Sequence, residues 1–414
     1  PPYVNTFAMS QPLTKPFKGI LYNKDKIKDI SFCVCPPYDV ISNIRAYYEK
    51  DGLNAIRLEL PVATPAMDKY NTARQTMEGW IASGILQQED KETIYVYEQE
   101  FSIEDAFYIR RGFIATHKLS RDRILTHEET RKKAKADREQ LISTLKTFTS
   151  LIFGLYEDGE QEIENILASS QKEKIYDFID EQSIRNRFYR MTDSEDIRQL
   201  TSIMDRKKIY IADGHHRLDV SYRLNIPYVP LYLTNMYSPG IVILPYHRII
   251  QFAKKKSLRK ILSSMEGFIE VTKHDYIDKA SLKAAFPMIN ESEKPSFLLY
   301  SHEDPSHIYQ LTETAPIDTD KDVHDVLKKL RVNILHNDIL KRLIGAEDEE
   351  ISFTQDHYES VDLVQQGSLD LALFLPSTTV EEVKNIAENN LYMPPKSTFF
   401  YPKILTGLVF CKYG

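Results

Sequence analysis

The chain has only three cysteines, Cys33, Cys35 and Cys411, in 414 residues. An odd and sparse count does not build a disulfide framework. It fits a reducing compartment, so a cytoplasmic location is expected. Cys33-x-Cys35 has no Cys-x-x-Cys partner elsewhere, which argues against a zinc site. No run of about 18 apolar residues occurs, so no membrane span is expected. Pro1-Pro2-Tyr3 offers neither a basic region nor an apolar one, hence no secretory signal, and Met9 is compatible with a native start. Basic charge is not in excess either. The formal net charge is -7, which removes a chain-wide grip on nucleic acid and leaves room only for a local basic patch. No internal repeat or low-complexity tract stands out.

What is present is an ordinary globular composition, 42% hydrophobic and 27% charged. The length suggests two or three packed domains rather than one core. Residues up to about Val40 are irregular and end in Pro36-Pro37-Tyr38-Asp39, a rigid extended loop or strand end. A helix is predicted around Ser42–Lys50. Another carries Tyr70, Ala73, Met77, Trp80 and Ile81 and is closed by Gly84. Thr93–Phe101 and Arg110–Leu119 read as a hairpin. His127–Gln140 looks helical, Ser150–Tyr156 like a short strand, and Glu160–Ala168 like a helix. Val323, Val326, Leu327, Leu330 and Ile334 form the clearest amphipathic series, and Thr378-x-x-Glu381 reads as a capping box. Phe399–Phe410 reads as strand, turn, strand. Strands and helices mix without strict alternation, so the expected class is α+β. The chain divides into a region 1–255 and a C-terminal α/β region 256–414, whose last strands are expected to return to the site.

The most informative stretch is Lys208-Ile209-Tyr210-Ile211-Ala212-Asp213-Gly214-His215-His216-Arg217. An apolar strand runs through Asp-Gly straight into a helix. The first N–H groups of a helix lack internal partners and carry partial positive charge, so a phosphate docks there. Gly214 lets the backbone approach an anion closely. His215 and His216 add donors, and Arg217 grips two phosphate oxygens. Asp213 suits a magnesium ion or an acceptor hydroxyl. The plain alternative is a common Asp-Gly turn followed by solvated histidines. A shared metal site for His215 and His216 is disfavoured, because adjacent helical residues point apart.

Asp-Gly-His-His-Arg after a strand resembles the phosphate loop of the ParB/sulfiredoxin-like superfamily, where sulfiredoxins carry Gly-Cys-His-Arg and ParB proteins Gly-Glu-Arg-Arg. Over its whole length the chain resembles the bacterial and archaeal family of the domain of unknown function 1015. The matching segments are Pro36-Pro37-Tyr38-Asp39-Val40-Ile41-Ser42, His127-Glu128-Glu129-Thr130, Ala136-Asp137-Arg138 and Ala212–Arg217, then Ile243-Leu244-Pro245-Tyr246-His247-Arg248 and Met393–Lys403. The resemblance implies a ParB/sulfiredoxin-like mixed-sheet core with additional α/β structure. It also implies the chemistry of the free serine kinases, which phosphorylate serine with ADP or ATP. His215 stands where sulfiredoxin has its catalytic cysteine, which removes sulfinic-acid reduction. No helix-turn-helix is found, which counts against a DNA-binding partition factor.

Other polar clusters carry two readings each. Glu128 or Asp137 places a carboxylate near a transferred phosphoryl group with Arg138 or Lys133 clamping charge, or the stretch is a solvated helix with charge pairs. Asp39 is a general base at a site rim or a helix cap. Lys396, Ser397, Thr398 and Lys403 present lysines and hydroxyls to phosphate, or lie on a surface strand. His247 and Arg248 are an anion contact or edge-strand charges.

The resulting expectation is an enzyme that moves a phosphoryl group from ATP or ADP, with Mg2+, to a small hydroxylated metabolite, serine leading. The catalytic candidates are Asp39, Glu128, Asp213 and His215, with Asp213 also the metal ligand. Nucleotide contacts are expected from His127, Thr130, Arg138, Gly214, His215, His216, Arg217, His247, Arg248, Lys396, Ser397, Thr398 and Lys403. The alternative is a nucleotide-binding regulatory protein with no kinase activity, analogous to ParB clamps. Neither membrane nor nucleic acid is an expected partner, and a homodimer is left open. As an exposed loop residue, Arg217 is expected to tolerate Arg217→Ala with the fold intact and nucleotide binding lost, which a nucleotide titration checks.

Overall fold

A computed structural model describes residues 12–130, 132–317 and 323–413, with backbone only at Lys132 and Lys133. Met9 and Pro1-Pro2-Tyr3 lie outside the described residues, and so does the Lys133 side chain. The chain forms two compact units. The first takes the chain up to Thr126, then Thr130–Val242, then from Pro402 onward; the second takes His127–Glu129 and Ile243–Tyr401. The class is mixed α+β, as expected. Among the described residues no helix is long and apolar enough to cross a membrane.

The first unit is built on a nine-stranded mixed sheet. Its strands are β1 (Thr14–Lys15), β2 (Tyr95–Ile103), β3 (Ala106–Lys118), β4 (Ile124–Leu125), β5 (Ile152–Tyr156), β6 (Lys172–Ile179), β7 (Arg185–Met191), β8 (Ile209–Asp213) and β9 (Tyr228–Asn235). Their order is β4-β8-β5-β9-β3-β2-β7-β6, with β1 beside β3. The predicted hairpin is β2 and β3, closed by Glu104-Asp105 with Glu104 at φ +50°. Strand β8 is an interior strand, parallel to β4 and antiparallel to β5. Ile209, Tyr210 and Ile211 are all buried, as a strand covered on both faces requires.

The helices of this unit include α1 (Ile44–Lys50), α2 (Lys69–Ala82), α3 (Lys132–Leu145), α4 (Glu162–Ser169), α5 (Ser194–Met204) and α6 (His215–Arg223). Asp68 caps α2 through the Tyr70 and Asn71 amides and Asp193 caps α5 through Glu195 and Asp196, each satisfying donors that the helix cannot. Helix α3 packs on both α2 and α6. It starts only at Lys132, so the helix expected from His127 is shorter. His127 instead lies in extended chain, where its carbonyl accepts from the Met393 amide at 2.8 Å.

The second unit holds a six-stranded antiparallel sheet of β10 (His247–Ile250), β11 (Ile269–Asp275), β12 (Ser296–Ser301), β13 (His307–Glu313), β14 (Ile351–Thr354) and β15 (Leu371–Phe374), in the order β11-β13-β12-β15-β10-β14. Helices α7 (Lys279–Asn290) and α8 (His357–Gln365) close one core through Leu282, Ile289, Val361 and Val364 against Leu298, Tyr300 and Phe374. The Val323–Ile334 series is not one helix. Leu330 is extended, at φ -72° and ψ 121°, and restarts the chain. The series falls on the short helical turns Asp325–Lys328 and Arg331–Asn333 and then on a π-helix, Ile334–Ile344; Leu330 and Ile334 are buried, while Val323, Val326 and Leu327 are half-buried.

The capping box sits one residue later than expected. Thr379 caps α9 (Val380–Glu388) by accepting from the Glu382 amide while Glu382 reaches back. Thr378 is buried and donates to the Ser397 carbonyl at 2.9 Å. The strand expected to begin at Phe399 ends at Tyr401. Beyond it the chain joins the first unit through Cys35–Thr406 and Ile20–Phe410 bridges. The shifted cap has a measurable consequence. Thr379→Ala should cost the second unit about 1 kcal/mol in urea unfolding, the usual loss at an N-cap, and a change indistinguishable from zero would show that Thr379 caps nothing.

Candidate functional site

Strand β8 delivers Asp213 to Gly214, and Gly214 opens helix α6 at φ +94°. A side chain is disfavoured there on two counts. The left-handed backbone disfavours L-residues, and an added Cβ would lie 3.2 Å from the Ile152 Cα and 3.2 Å from the Arg217 Nη2. The predicted strand, glycine and helix are thus all present, in the order β8, Gly214, α6.

Asp213 accepts the Gly214 amide on Oδ1 at 2.8 Å and the Lys403 ammonium on Oδ2 at 3.2 Å. Burial alone would raise its carboxyl. Lys403 and Arg217 outweigh burial and hold it at about 2. Lys403 reaches this place because buried polar groups of β2 and β3 grip its backbone. Arg110 donates to the Pro402 carbonyl and to Gln99, and Gln99 donates to the Lys403 carbonyl at 3.1 Å.

Arg217 is buried, at 4% exposure, not an exposed loop residue. It lies in the first turn of α6, so its side chain folds back toward Gly214 instead of into solvent. Its Nη1 donates to the Leu151 carbonyl, while Nε has no hydrogen-bond partner among the described residues. Truncation to alanine would leave a cavity and strip a buried carbonyl of its donor, so Arg217→Ala is no longer expected to spare the fold. His215 is also buried. Burial pulls its imidazole down to about 4, Asp213 opposing, so the ring is neutral near pH 7.

Asp39 faces the same groups. It follows Pro37 in a single 3-10 turn, Tyr38–Val40. The side chain keeps solvent access, yet enough protein surrounds the carboxyl that desolvation, first, and Asp213, second, raise it above the ordinary carboxylate range. Two carboxyls in mutual electrostatic reach are thus driven in opposite directions. Tyr38 lies beneath Arg138, 4.3 Å from guanidinium to ring centre. Arg138 is clamped by Glu59 at 3.3 Å and Asp137 at 2.6 Å. Glu59 is fully buried and also accepts from Ser150 at 3.0 Å and from Thr149. Arg138 therefore has its carboxylates already, and supports Tyr38.

The remaining candidates divide between the two units. His216 is half-buried on α6. Thr130 donates to Asp219, on α6 beyond Arg217, at 3.3 Å. The second unit holds His127, whose Nε2 pairs with Thr398 Oγ1 at 3.1 Å, and Glu128, which bridges to Met393. It also holds Lys396, 3.4 Å from the Tyr246 hydroxyl, and Ser397, which donates to the Pro394 carbonyl at 2.6 Å. His247 and Arg248 are buried on an interior strand, not an edge. Sequence reasoning passed over Glu59 and Arg110. Each had a signal, a charge inside an apolar or alternating stretch: Ala55-Ile56 and Leu58 before Glu59, and Phe113–Ala115 after Arg110.

Two pH effects follow. Asp213 has a depressed folded pKa, so its contribution to stability is present above the unfolded value and is lost as pH falls from about 4 toward 2. Lys403→Met should bring the Asp213 carboxyl up from about 2 and shrink that acid-dependent loss, as read by carboxyl NMR titration. Asp39 has the opposite sign: a raised folded pKa costs stability once pH exceeds it. Asp39→Asn should therefore stabilise the protein in urea at pH 7.5 and lose that advantage near pH 3.5. Equal stability gains at both pH values would contradict a strained Asp39 carboxylate.

Comparison with known proteins gives little close likeness. No curated protein matches the chain. A free serine kinase in complex with AMP is 14% identical with a TM-score of 0.37, covering 69% of this chain and 86% of that one. A conserved hypothetical protein from Pyrococcus furiosus is 13% identical with a TM-score of 0.37, covering 70% and 92%. C-terminally truncated SbnI from Staphylococcus aureus is 10% identical with a TM-score of 0.36, covering 70% and 85%. The family described as "Protein of unknown function (DUF1015)" matches residues 14–333, more than half of the chain, and the protein belongs to that family.

Proposed function

We propose that the first unit binds the phosphates of ATP or ADP at Gly214 and moves a phosphoryl group to a small hydroxylated metabolite, serine being the leading acceptor. The reading is carried by the split between Asp39 and Asp213 beside the open Nε of Arg217. Paired titratable groups pushed apart in pKa are the usual sign of an acid and base assignment. Nucleotide as the ligand, and serine as the acceptor, come from the Asp-Gly-His loop, which resembles that of free serine kinases.

In the proposed step the acceptor oxygen attacks the terminal phosphorus of the nucleotide. The new O–P bond forms as the bond to the leaving phosphate breaks, and the acceptor proton passes to Asp39. A carboxylate with a raised pKa is the better base of the two. Arg217, the α6 amides and neutral His215 donate to phosphate oxygens, where charge builds in such a transfer. Asp213, with Asp39 when ionised, is the kind of set Mg2+ uses, one or two carboxylates completed by substrate phosphates. Among the described residues no cluster of three metal-ligating side chains occurs. Asp213 would be the residue to hold such an ion, which would supply neutralisation of phosphate charge. A cytoplasmic setting fits three buried, unpaired thiols.

Two variants separate binding from chemistry. Arg217→Gln should weaken nucleotide binding about ten-fold or more, the scale of one charge-assisted hydrogen bond. Asp39→Asn should retain binding and lose transfer by roughly 100-fold or more. The assay incubates protein, Mg2+ and ATP or ADP with serine and a metabolite pool, and mass spectrometry reads a gain of phosphate. Unchanged nucleotide affinity in Arg217→Gln sinks the phosphate cradle. A nucleotide-dependent change of shape or oligomer, with no phosphorylated metabolite, replaces the kinase with a nucleotide-controlled switch.

A further inference from the structure

The geometry points to a second oxyanion site, inside the second unit, in which Arg248 takes a carboxylate or phosphate group of a small ligand. Arg248 lies on β10, between β15 and β14, and has 0% exposure. Its Nη1 donates to the Tyr246 carbonyl, and its guanidinium lies over the Phe353 ring at 5.0 Å. Its Nε and Nη2 have no hydrogen-bond partner among the described residues. Those two N–H groups form one edge of the planar guanidinium. They run parallel, at the spacing of two oxygens on a carboxylate or phosphate. The edge left open is the one that grips such a group with two bonds.

The surroundings supply no counter-charge. Burial alone accounts for an Arg248 pKa drawn down to about 9, and no acidic neighbour offsets it. The titratable group on its side is His336, from the π-helix, with a ring nitrogen lacking a partner among the described residues. His247, the preceding residue on the strand, turns to the opposite face against Phe286, His357 and Phe374. Asp338, also on the π-helix, pairs with Arg342 at 3.6 Å. A buried cation is strongly unfavourable unless an anion meets it.

The π-helix adds a second, separate observation. Such helices are rare and recur at functional positions. His336 stands on this one, 6% exposed, with its ring 6.2 Å from that of Phe353, the ring under Arg248. A neutral imidazole, held down at about 4 by burial first and then by Arg248, offers one further donor to an oxyanion. The pair Arg248 and His336 is wholly within the second unit. It does not depend on the reading of Asp213 and Arg217.

The experiment follows arginine Nε–H signals in nitrogen-15 spectra of the full chain. Arg248→Met identifies its signal by loss, with Arg248→Lys as the substitute if the methionine variant does not fold. Inorganic phosphate and sodium acetate are then titrated separately. A saturable shift of the Arg248 signal with either supports the site, and which anion gives it tells phosphate from carboxylate. Arg248→Met should also raise the melting temperature in anion-free buffer and abolish any anion-induced rise that depends on this site. An Arg248 signal unmoved by both anions overturns the site. An Arg217 signal that shifts in the same titration shows that such a failure leaves the first-unit reading standing.

Discussion

The contact between Asp213 and Lys403 holds the candidate site together. It joins the end of an interior strand to a chain segment 190 positions away. Asp213 holds the turn that opens α6, and Lys403 keeps the Asp213 carboxyl ionised against its burial. Desolvation first, and the negative charge of Asp213 second, push Asp39 the other way. Without the lysine, Asp213 would lose the stronger of the two cations that oppose its burial.

The supporting layer is unusual in how much of it is buried and polar. Arg110, Gln99 and Asn186 stand within the sheet at essentially zero exposure, and Glu59 holds Arg138 from below. Buried polar groups cost stability unless each finds a partner, and when they do they fix one arrangement over its neighbours. Here they are spent on the backbone of Pro402 and Lys403 and on the ring of Tyr38. Nε of Arg217 and both Nε and Nη2 of Arg248 are among the buried guanidinium nitrogens with no hydrogen-bond partner among the described residues.

What the sequence disclosed was what depends on neighbours along the chain. Strand β8, Gly214 and the start of α6 follow from an apolar run, an Asp-Gly pair and helical residues after it, and each lies where those letters put it. The hairpin of β2 and β3 was equally plain. Burial of Arg217 was not legible, since it depends on a bond to the Leu151 carbonyl, 66 positions away in the chain. Nor was the end of the helix expected from His127, because extended pairing with Met393 overrides local helical preference. The Val323 series misled for a related reason. Its apolar spacing is real, but Leu330 interrupts it and the chain resumes in a wider helix. Lys403 was named as a phosphate contact, whereas its place against Asp213 is a tertiary fact.

The first unit is assembled from segments that are far apart in synthesis. Its sheet is complete in sequence by Asn235, yet the segment from Pro402 onward arrives only after the whole of Ile243–Tyr401 has been made. Domains that emerge early tend to fold early, and contacts of long sequence separation form slowly. On the ribosome, the nine strands therefore wait with the Cys35, Ile20 and Thr147–Phe148 positions unpaired until Thr406, Phe410 and Cys411–Lys412 reach them. The contact between Asp213 and Lys403 can therefore form only after the whole of Ile243–Tyr401 has been made.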